Sequence, residues 1–292
     1  MNEKYLAGFI DADGHLSVRA RKGARPDLEF SVAQRADYRD ILEYAQQQFG
    51  GVIREKFEGR HLELQMRCGP ARKAMERLKK YMVLKRHHAE QMLDLVDTSG
   101  ILRTDEEVRA VRDRVKEIRR QGVDTLPNFP ARKWLAGYVD GDGSFAVKLC
   151  KKTGYAYPKL SILAAPNYTA GIRLIEKCFG GKIWQHGENF QYTLQLSQPS
   201  KAAELLGYFA KHLHVKKGQA YFLSGCAKGG NFRDGETIRE AVKALNAQQH
   251  RLSDPTSHAA ELIKTVNFSI EKRPTNWKGR NAMKRQSNLH PM

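Results

Sequence analysis

Apolar and polar residues alternate from Leu16 to Lys22 and again from Leu28 to Arg35, a period of two that predicts a pair of half-buried strands. The period then lengthens. Tyr38, Ile41, Leu42, Ala45 and Phe49 share one helix face, and Phe49-Gly50-Gly51-Val52-Ile53 turns the chain into a third strand. A fourth strand runs from about Arg60 to Arg67. Two helices follow, with apolar faces Ala71, Met75, Leu78, Met82 and then Ala89, Met92, Leu93, Val96.

The same order of elements recurs. Strands at Phe145 to Lys151 and Lys159 to Ala164 precede a helix through Ile172, Ile175 and Phe179. Phe179-Gly180-Gly181-Lys182-Ile183 repeats the glycine turn, and the last strand is Phe190 to Leu196. Helices with Leu205, Leu206, Phe209 and with Ala220, Phe222, Leu223 complete the copy. Thr104-Asp105-Glu106-Glu107 reads as a capping box for a trailing helix carrying Val108, Val111 and Val115, while Asp234 can cap its counterpart with Ile238, Ala241 and Leu245. The pattern predicts an α+β chain of two tandem αββαββα modules. Their expected bounds are 1–121 and 131–251, joined by a Pro-containing linker at 122–130 and followed by a basic extension at 252–292.

One phrase opens each copy: Leu6-Ala7-Gly8-Phe9-Ile10-Asp11-Ala12-Asp13-Gly14 and Leu135-Ala136-Gly137-Tyr138-Val139-Asp140-Gly141-Asp142-Gly143. Within a phrase small residues recur four apart, Gly8 with Ala12 and Gly137 with Gly141, so they share a helix face and let two backbones approach closely. Twin helices packed on these faces would set Asp13 beside Asp142. Gly14 and Gly143 are placed to end the helices as left-handed caps. A helix C-terminus already carries partial negative charge, so two such ends bearing carboxylates call for a cation and read as a divalent metal site. An EF-hand loop is excluded, because its twelfth position would be Lys22 or Lys151 rather than Glu.

The paired phrases resemble the LAGLIDADG motif, and their arrangement resembles the single-chain, two-motif homing endonucleases of that family. The resemblance implies modules related by a pseudo-two-fold axis, with the motif helices paired at the interface and two antiparallel β-saddles laid in successive major grooves. It implies Mg²⁺ held by Asp13 and Asp142, with the carbonyls of Ala12 and Gly141 as extra ligands. Mn²⁺ is expected to substitute, and Ca²⁺ to support binding without cleavage. Asp11 and Asp140, the earlier acids of the motif, are structural in the family pattern. A basic residue at the start of the closing helix points to Lys85 and Lys216 as catalytic candidates, and a Gln at the end of the second strand points to Gln34. The second copy has Leu163-Ala164-Ala165-Pro166 there and lacks the Gln. Gln34 shares strand parity with Phe30 and Val32, so its placement assumes a twist or bulge.

Charge supports a polyanionic partner: the formal net charge is +18 over 292 residues, with a pI near 9.8 and the cations spread along the chain. The apolar sheet face is expected to hold Leu16, Val18, Ile53, Phe57, Leu62, Leu64 and Met66. The opposite face offers Ser17, Arg19, Arg21, Arg54, Lys56, His61, Gln65 and Arg67, and in the second module Lys148, Lys159, Ser161, Lys182, Trp184, His186, Gln191, Thr193 and Gln195, as candidates for base edges and phosphates. Four scattered cysteines without CxxC spacing read as reduced. No apolar run spans a bilayer and no signal-peptide core is present, so the expectation is a soluble intracellular monomer of cytoplasm or organelle matrix. The expected function is site-specific, metal-dependent cleavage of double-stranded DNA with a staggered break. The alternative is a maturase that binds intron RNA and assists splicing without cutting.

Overall fold

A computed structural model describes residues 1–98, 100, 102–121, 131–150, 152–164, 168–186, 191–195, 199–228, 232, 234–248 and 255–271. The first repeat runs α1 (Glu3–Asp13), β1 (Gly14–Arg19), β2 (Asp27–Arg35), a 3₁₀ turn (Ala36–Tyr38), α2 (Arg39–Phe49), β3 (Val52–Lys56), β4 (His61–Arg67), α3 (Gly69–Leu78), α4 (Arg86–Thr98) and α5 (Asp105–Arg120). The second runs α6 (Arg132–Asp142), β5 (Gly143–Leu149), β6 (Ala156–Leu163), α7 (Ala170–Phe179), β7 (Lys182–His186), β8 (Gln191–Gln195), α8 (Pro199–His212), α9 (Lys217–Lys228) and α10 (Gly235–Gln248). A further helix, α11 (Pro255–Glu271), packs on α9, with Ala259 fully buried. The expected linker and the extension past residue 271, Trp277 included, lie outside the described residues.

Each repeat forms a four-stranded antiparallel sheet, ordered β1-β2-β4-β3 and β5-β6-β8-β7. This is the expected α+β architecture. Strand alternation decides which face is buried: Leu16, Val18, Leu28, Phe30, Val32, Leu62, Leu64 and Met66 all turn toward the helices. The capping box at α5 is present, with Thr104 and Glu107 exchanging bonds of 3.2 and 2.8 Å. Buried residues of both repeats, including the motif helices, belong to one continuous hydrophobic cluster.

Two expectations require correction. Phe57 is 71 % exposed rather than part of the apolar face. It sits with Glu58 in the hairpin turn after β3, both at positive φ (52° and 58°), so strand alternation has already ended. Gly14 and Gly143 are not left-handed caps: their φ values are −73° and −79°, and β1 and β5 start on them. Glycine is still required there. A Cβ at Gly14 would lie 2.5 Å from the Ile10 carbonyl oxygen, and one at Gly143 would lie 2.6 Å from that of Val139.

Candidate active site

The motif helices α1 and α6 touch backbone to backbone. A Cβ on Gly8 would fall 1.9 Å from the Trp134 carbonyl oxygen, and one on Gly137 would fall 1.9 Å from that of Tyr5. Nearer the C-terminal ends, a Cβ on Gly141 would meet the Ala12 methyl at 2.3 Å and an Asp13 carboxylate oxygen at 3.2 Å. The four small residues at the expected interface, Gly8, Ala12, Gly137 and Gly141, are therefore where the helices meet, and Asp13 lies against the opposite helix one residue from Asp142.

The earlier acids tie each helix to its own module and to its twin. Asp11 accepts from the Val83 amide (2.6 Å), the Lys85 amide (2.8 Å) and, across the interface, the Trp134 indole N–H (2.8 Å). Asp140 accepts from the His214 amide (2.6 Å), the Lys216 amide (2.8 Å) and the Tyr5 hydroxyl (2.8 Å). Both carboxylates are buried. Burial raises their pKa values, and these donors pull them back down. Tyr5 and Trp134 escaped the sequence reading. Their only signal is that each is an aromatic with a polar tip immediately before its motif.

Lys85 and Lys216 do something the motif did not announce. The Lys85 ammonium donates to the carbonyls of Ile10 (2.8 Å), Asp11 (2.7 Å) and Ala12 (3.0 Å), and Lys216 donates to those of Val139 (3.0 Å), Asp140 (2.5 Å) and Gly141 (2.7 Å). Each lysine closes the last turn of a motif helix and neutralises its dipole. The cation that the paired helix ends require is thus in part built into the chain. Any metal ligation by the Ala12 or Gly141 carbonyl would have to share that oxygen with an ammonium group. Burial lowers the pKa of both lysines, and the surrounding carboxylates oppose that shift.

The two outer acids differ. Asp13 accepts from Gln34 Nε2 at 2.5 Å, and burial raises its pKa against the pull of Lys216, Lys85 and Gln34. Asp142 is pushed up to about 7, by burial first and then by the charge of Asp13. Among the described residues no side chain hydrogen-bonds to it. Gly14 pairs with Val32 and Gly143 with Ile162, so the position of Gln34 is taken in the second sheet by Ala164. The bulge assumed for Gln34 is not needed. The β2–β4 register is unbroken from Glu29–Arg67 to Arg35–His61, and Gln34 keeps the helix-side parity of Phe30 and Val32, which is the side where α1 ends.

Outward from this centre the sheets present the expected polar faces, with differences. Arg21, Arg54, Lys56, Arg67, Lys148, Lys182 and Trp184 are exposed, and Ser17, Arg19, His61, Gln65, Lys159 and Gln195 are half-buried. Ser161 and Thr193 are not available as expected. They are 6 % and 4 % exposed, and their hydroxyls bond each other at 3.1 Å. His186 and Gln191 pair with each other in β7 and β8, but their side chains lie outside the described ones. Glu29 holds Gln65 at 2.8 Å, and Glu63 pairs with Lys56 at 3.0 Å, so parts of the first face are already cross-linked.

The sheets also differ in register. Ile53 shares a row with Leu64, Val32 and Gly14, whereas Ile183 shares one with Leu194, Leu160 and Phe145, two residues further from the helix ends. Trp184 therefore stands where Val52 does in the first sheet, not where the repeat alignment puts Arg54. Among the described residues no group of three or more His, Cys, Asp or Glu could hold a metal ion, and no helix is long and apolar enough to cross a membrane.

A model of the LAGLIDADG endonuclease family matches residues 135–224, from the second motif to α9. No curated protein matches the sequence. Solved structures of similar fold include the LAGLIDADG meganuclease I-AabMI bound to uncleaved DNA, with 19% identity over 84% of this chain and 97% of that one and a TM-score of 0.63. Meganuclease I-SmaMI bound to uncleaveable DNA is 20% identical over 87% and 100%, with a TM-score of 0.62. The LAGLIDADG homing endonuclease I-GzeII in complex with its DNA target is 15% identical over 90% and 97%, with a TM-score of 0.60.

Proposed function

We propose, for a chain whose second repeat belongs to the LAGLIDADG endonuclease family and whose first repeats its motif and fold, that it is a site-specific endonuclease of double-stranded DNA. One observation carries the reading: Asp13 and Asp142, one from each repeat, meet at the touching C-terminal ends of two helices, between two sheets with cationic outer faces. Because a single chain supplies both acids, it acts as a monomer on a target that lacks strict two-fold symmetry. At about 3.3 Å per strand residue and 3.4 Å per base pair, two saddles and a central gap cover roughly 16 to 22 base pairs. The solved relatives named above hold DNA in their crystals, and the reading brings that partner here.

The donor set fits a hard divalent cation such as Mg²⁺. Asp13 and Asp142 are anionic oxygen ligands, and the burial and Asp13 charge that hold Asp142 near 7 are offset when a cation joins the pair. When bound, the cation supplies Lewis-acid charge for in-line hydrolysis of a phosphodiester. The chain's own residues do the rest. The sheets place the backbone through phosphate contacts, Gln34 fixes the Asp13 carboxylate, and Lys85 and Lys216 keep both helix ends neutral enough to hold acids beside a polyanion. Two acids serving two strands give a staggered double-strand break. No observation favours a maturase, or intron RNA as a partner.

The test is cleavage of a randomised duplex library by the full chain with Mg²⁺, Mn²⁺ or Ca²⁺. A discrete long site cut on both strands with Mg²⁺ or Mn²⁺ and bound intact with Ca²⁺ is expected. Cutting without sequence preference, or cutting undiminished in EDTA, would overturn the reading.

A further inference from the structure

We propose that the second sheet reads thymine methyl groups beside the cleavage centre, through Leu163 and Trp184. The inference rests on the DNA-cutting reading above and extends it to which bases one half-site must contain.

Leu163 is 62 % exposed and Trp184 47 %, on the outward side of a sheet whose inward side buries its apolar residues almost completely. Two adjacent rows of that face bear them: Leu163 pairs with Gln191, and Trp184 with Thr193, which pairs in turn with Ser161. Ser161 and Thr193 in the Trp184 row are buried with their hydroxyls bonded to each other, so burial keeps them from a base edge, while Ser144 at the far end of the row is exposed. The large exposed apolar surfaces of the two rows are the Leu163 side chain and the Trp184 indole. The Lys182 ammonium lies 4.3 Å from the indole centroid, which fixes the ring and sets a cation beside it. Lys148 and Lys159 continue the positive charge away from the centre.

Two large apolar groups on one face, with cations beside them, suit the major groove at thymines. The C5-methyl is the apolar group displayed there, and apolar side chains are its partners. A purely apolar protein partner would leave those lysines without counter-charge. The first sheet differs at the same lattice positions. Ala33 and Val52 take the places of Leu163 and Trp184; hydrogen-bonding residues share the rows of both sheets, Glu63 and Arg54 with Ala33 and Gln191 and His186 with Leu163, but the apolar side chains of the first sheet are smaller at both places. Leu163 adjoins Ala164, which stands in Gln34's position, so its row is the innermost. The Trp184 row lies two residues further out, roughly 7 Å or two base pairs.

The probe is a randomised duplex library bound by the full chain in Ca²⁺ buffer, synthesised once with thymidine and once with deoxyuridine, which lacks the methyl. Thymine should be enriched within a few base pairs of the centre on one side only, and that enrichment should vanish from the deoxyuridine library while the rest of the site persists. On the selected duplex, replacing those thymines with deoxyuridine should weaken binding roughly fourfold per methyl. Trp184→Gln and Leu163→Ser, both at exposed positions, should bind the two duplexes alike, and Trp184→Gln marks which half-site the second sheet occupies. If the unaltered chain selects a site yet binds thymidine and deoxyuridine versions equally, methyl reading is refuted while the endonuclease reading stands. If neither library yields a site, both fall.

Discussion

The two centres are built from the same scaffold and finished differently. In each, a buried Asp grips a loop and an aromatic from the opposite helix, and a lysine ammonium closes the last helical turn on three carbonyls. Where the copies face outward the correspondence ends. Asp13 has Gln34 and Asp142 has Ala164 across the equivalent space, and β7 is paired two residues out of step with β3. Inside the interface the helices touch at Gly8, Gly137 and Gly141 and bond across it through Tyr5 and Trp134, so drift in one repeat is penalised by the other. Outside it only a partner constrains the side chains, and two halves of an asymmetric target can pull them apart.

The largest effect should come from the acids the copies share. Asp13→Asn or Asp142→Asn should lower double-strand cleavage at least a thousandfold and leave site affinity within about tenfold, because grip comes from the sheets and phosphates. Cleavage and equilibrium binding measured on one selected duplex check this. Full cutting by either variant would remove the centre from the mechanism. If one variant nicks a single strand and the other nicks the opposite strand, each acid serves its own strand.

Next in size is the helix contact itself. Even alanine is too large at Gly8 or Gly137, since its Cβ would sit 1.9 Å from a backbone oxygen that cannot swing away. The helices must part by an ångström or more, a misplacement that degrades catalytic geometry about a hundredfold. The buried core runs through this interface, so Gly137→Ala should also lose about 1 to 3 kcal/mol of stability. Single-turnover cleavage beside a thermal melt measures both. A stable variant that cuts normally would mean the helices are not paired as described.

Much of this was legible in the sequence, because period-two and helical patterns report burial directly and the duplicated phrase places two acids at matching ends. Gln34 came from the family resemblance, and the bulge assumed for it is not needed in the unbroken β2–β4 register. The failures share a cause: they depend on where the backbone goes after an element ends. Phe57 continues the alternation in sequence, but the hairpin turn has already begun. Gly14 suits a helix cap, but the chain leaves α1 directly into a strand. A two-residue slip of β7 keeps Ile183 inward, so parity cannot detect it, and only cross-strand pairing reveals what Trp184 stands beside. The lysine caps needed three-dimensional closeness between residues more than seventy positions apart.

The crowding of Asp142 predicts a stability cost. Its pKa in the folded chain is pushed up to about 7 from the ordinary carboxylate value of 3.8, so between those values the folded form holds a proton that the unfolded form has released. The favourable contribution is complete below about 4 and is lost as pH rises through 7. In EDTA the unaltered chain should therefore melt lower at pH 8 than at pH 6, and Asp142→Asn should gain on the order of 2 kcal/mol at pH 8. Mg²⁺ should stabilise the unaltered chain at pH 8 and help the variant less. Identical melts for the two proteins at pH 8 would show that burial and Asp13 do not raise the Asp142 pKa.

The smallest effect isolates the difference between the centres. Gln34 donates to Asp13 and so favours its charged form and one orientation, while Asp142 has only the charges of Lys85 and Lys216 to favour its ionised form. Losing one charge-assisted hydrogen bond is worth roughly 1.5 kcal/mol, about tenfold in rate if it is felt in the transition state. Gln34→Ala should therefore slow nicking of one strand about tenfold and the other much less. The reverse graft sharpens the comparison. Ala164 directly follows the last residue of β6, two residues past Ile162 as Gln34 is two past Val32 in β2, so Ala164→Gln should bring an amide toward Asp142, lower its pKa and move the pH dependence of nicking on that strand toward acid. Strand-resolved nicking of a doubly labelled duplex between pH 6 and 8 reads both substitutions. Equal slowing of both strands by Gln34→Ala would mean that the two centres are coupled, so that the stronger one cannot act before the weaker is ready. Unequal slowing with no response to Ala164→Gln would mean that β6 ends too far from Asp142 for a side chain there to reach it.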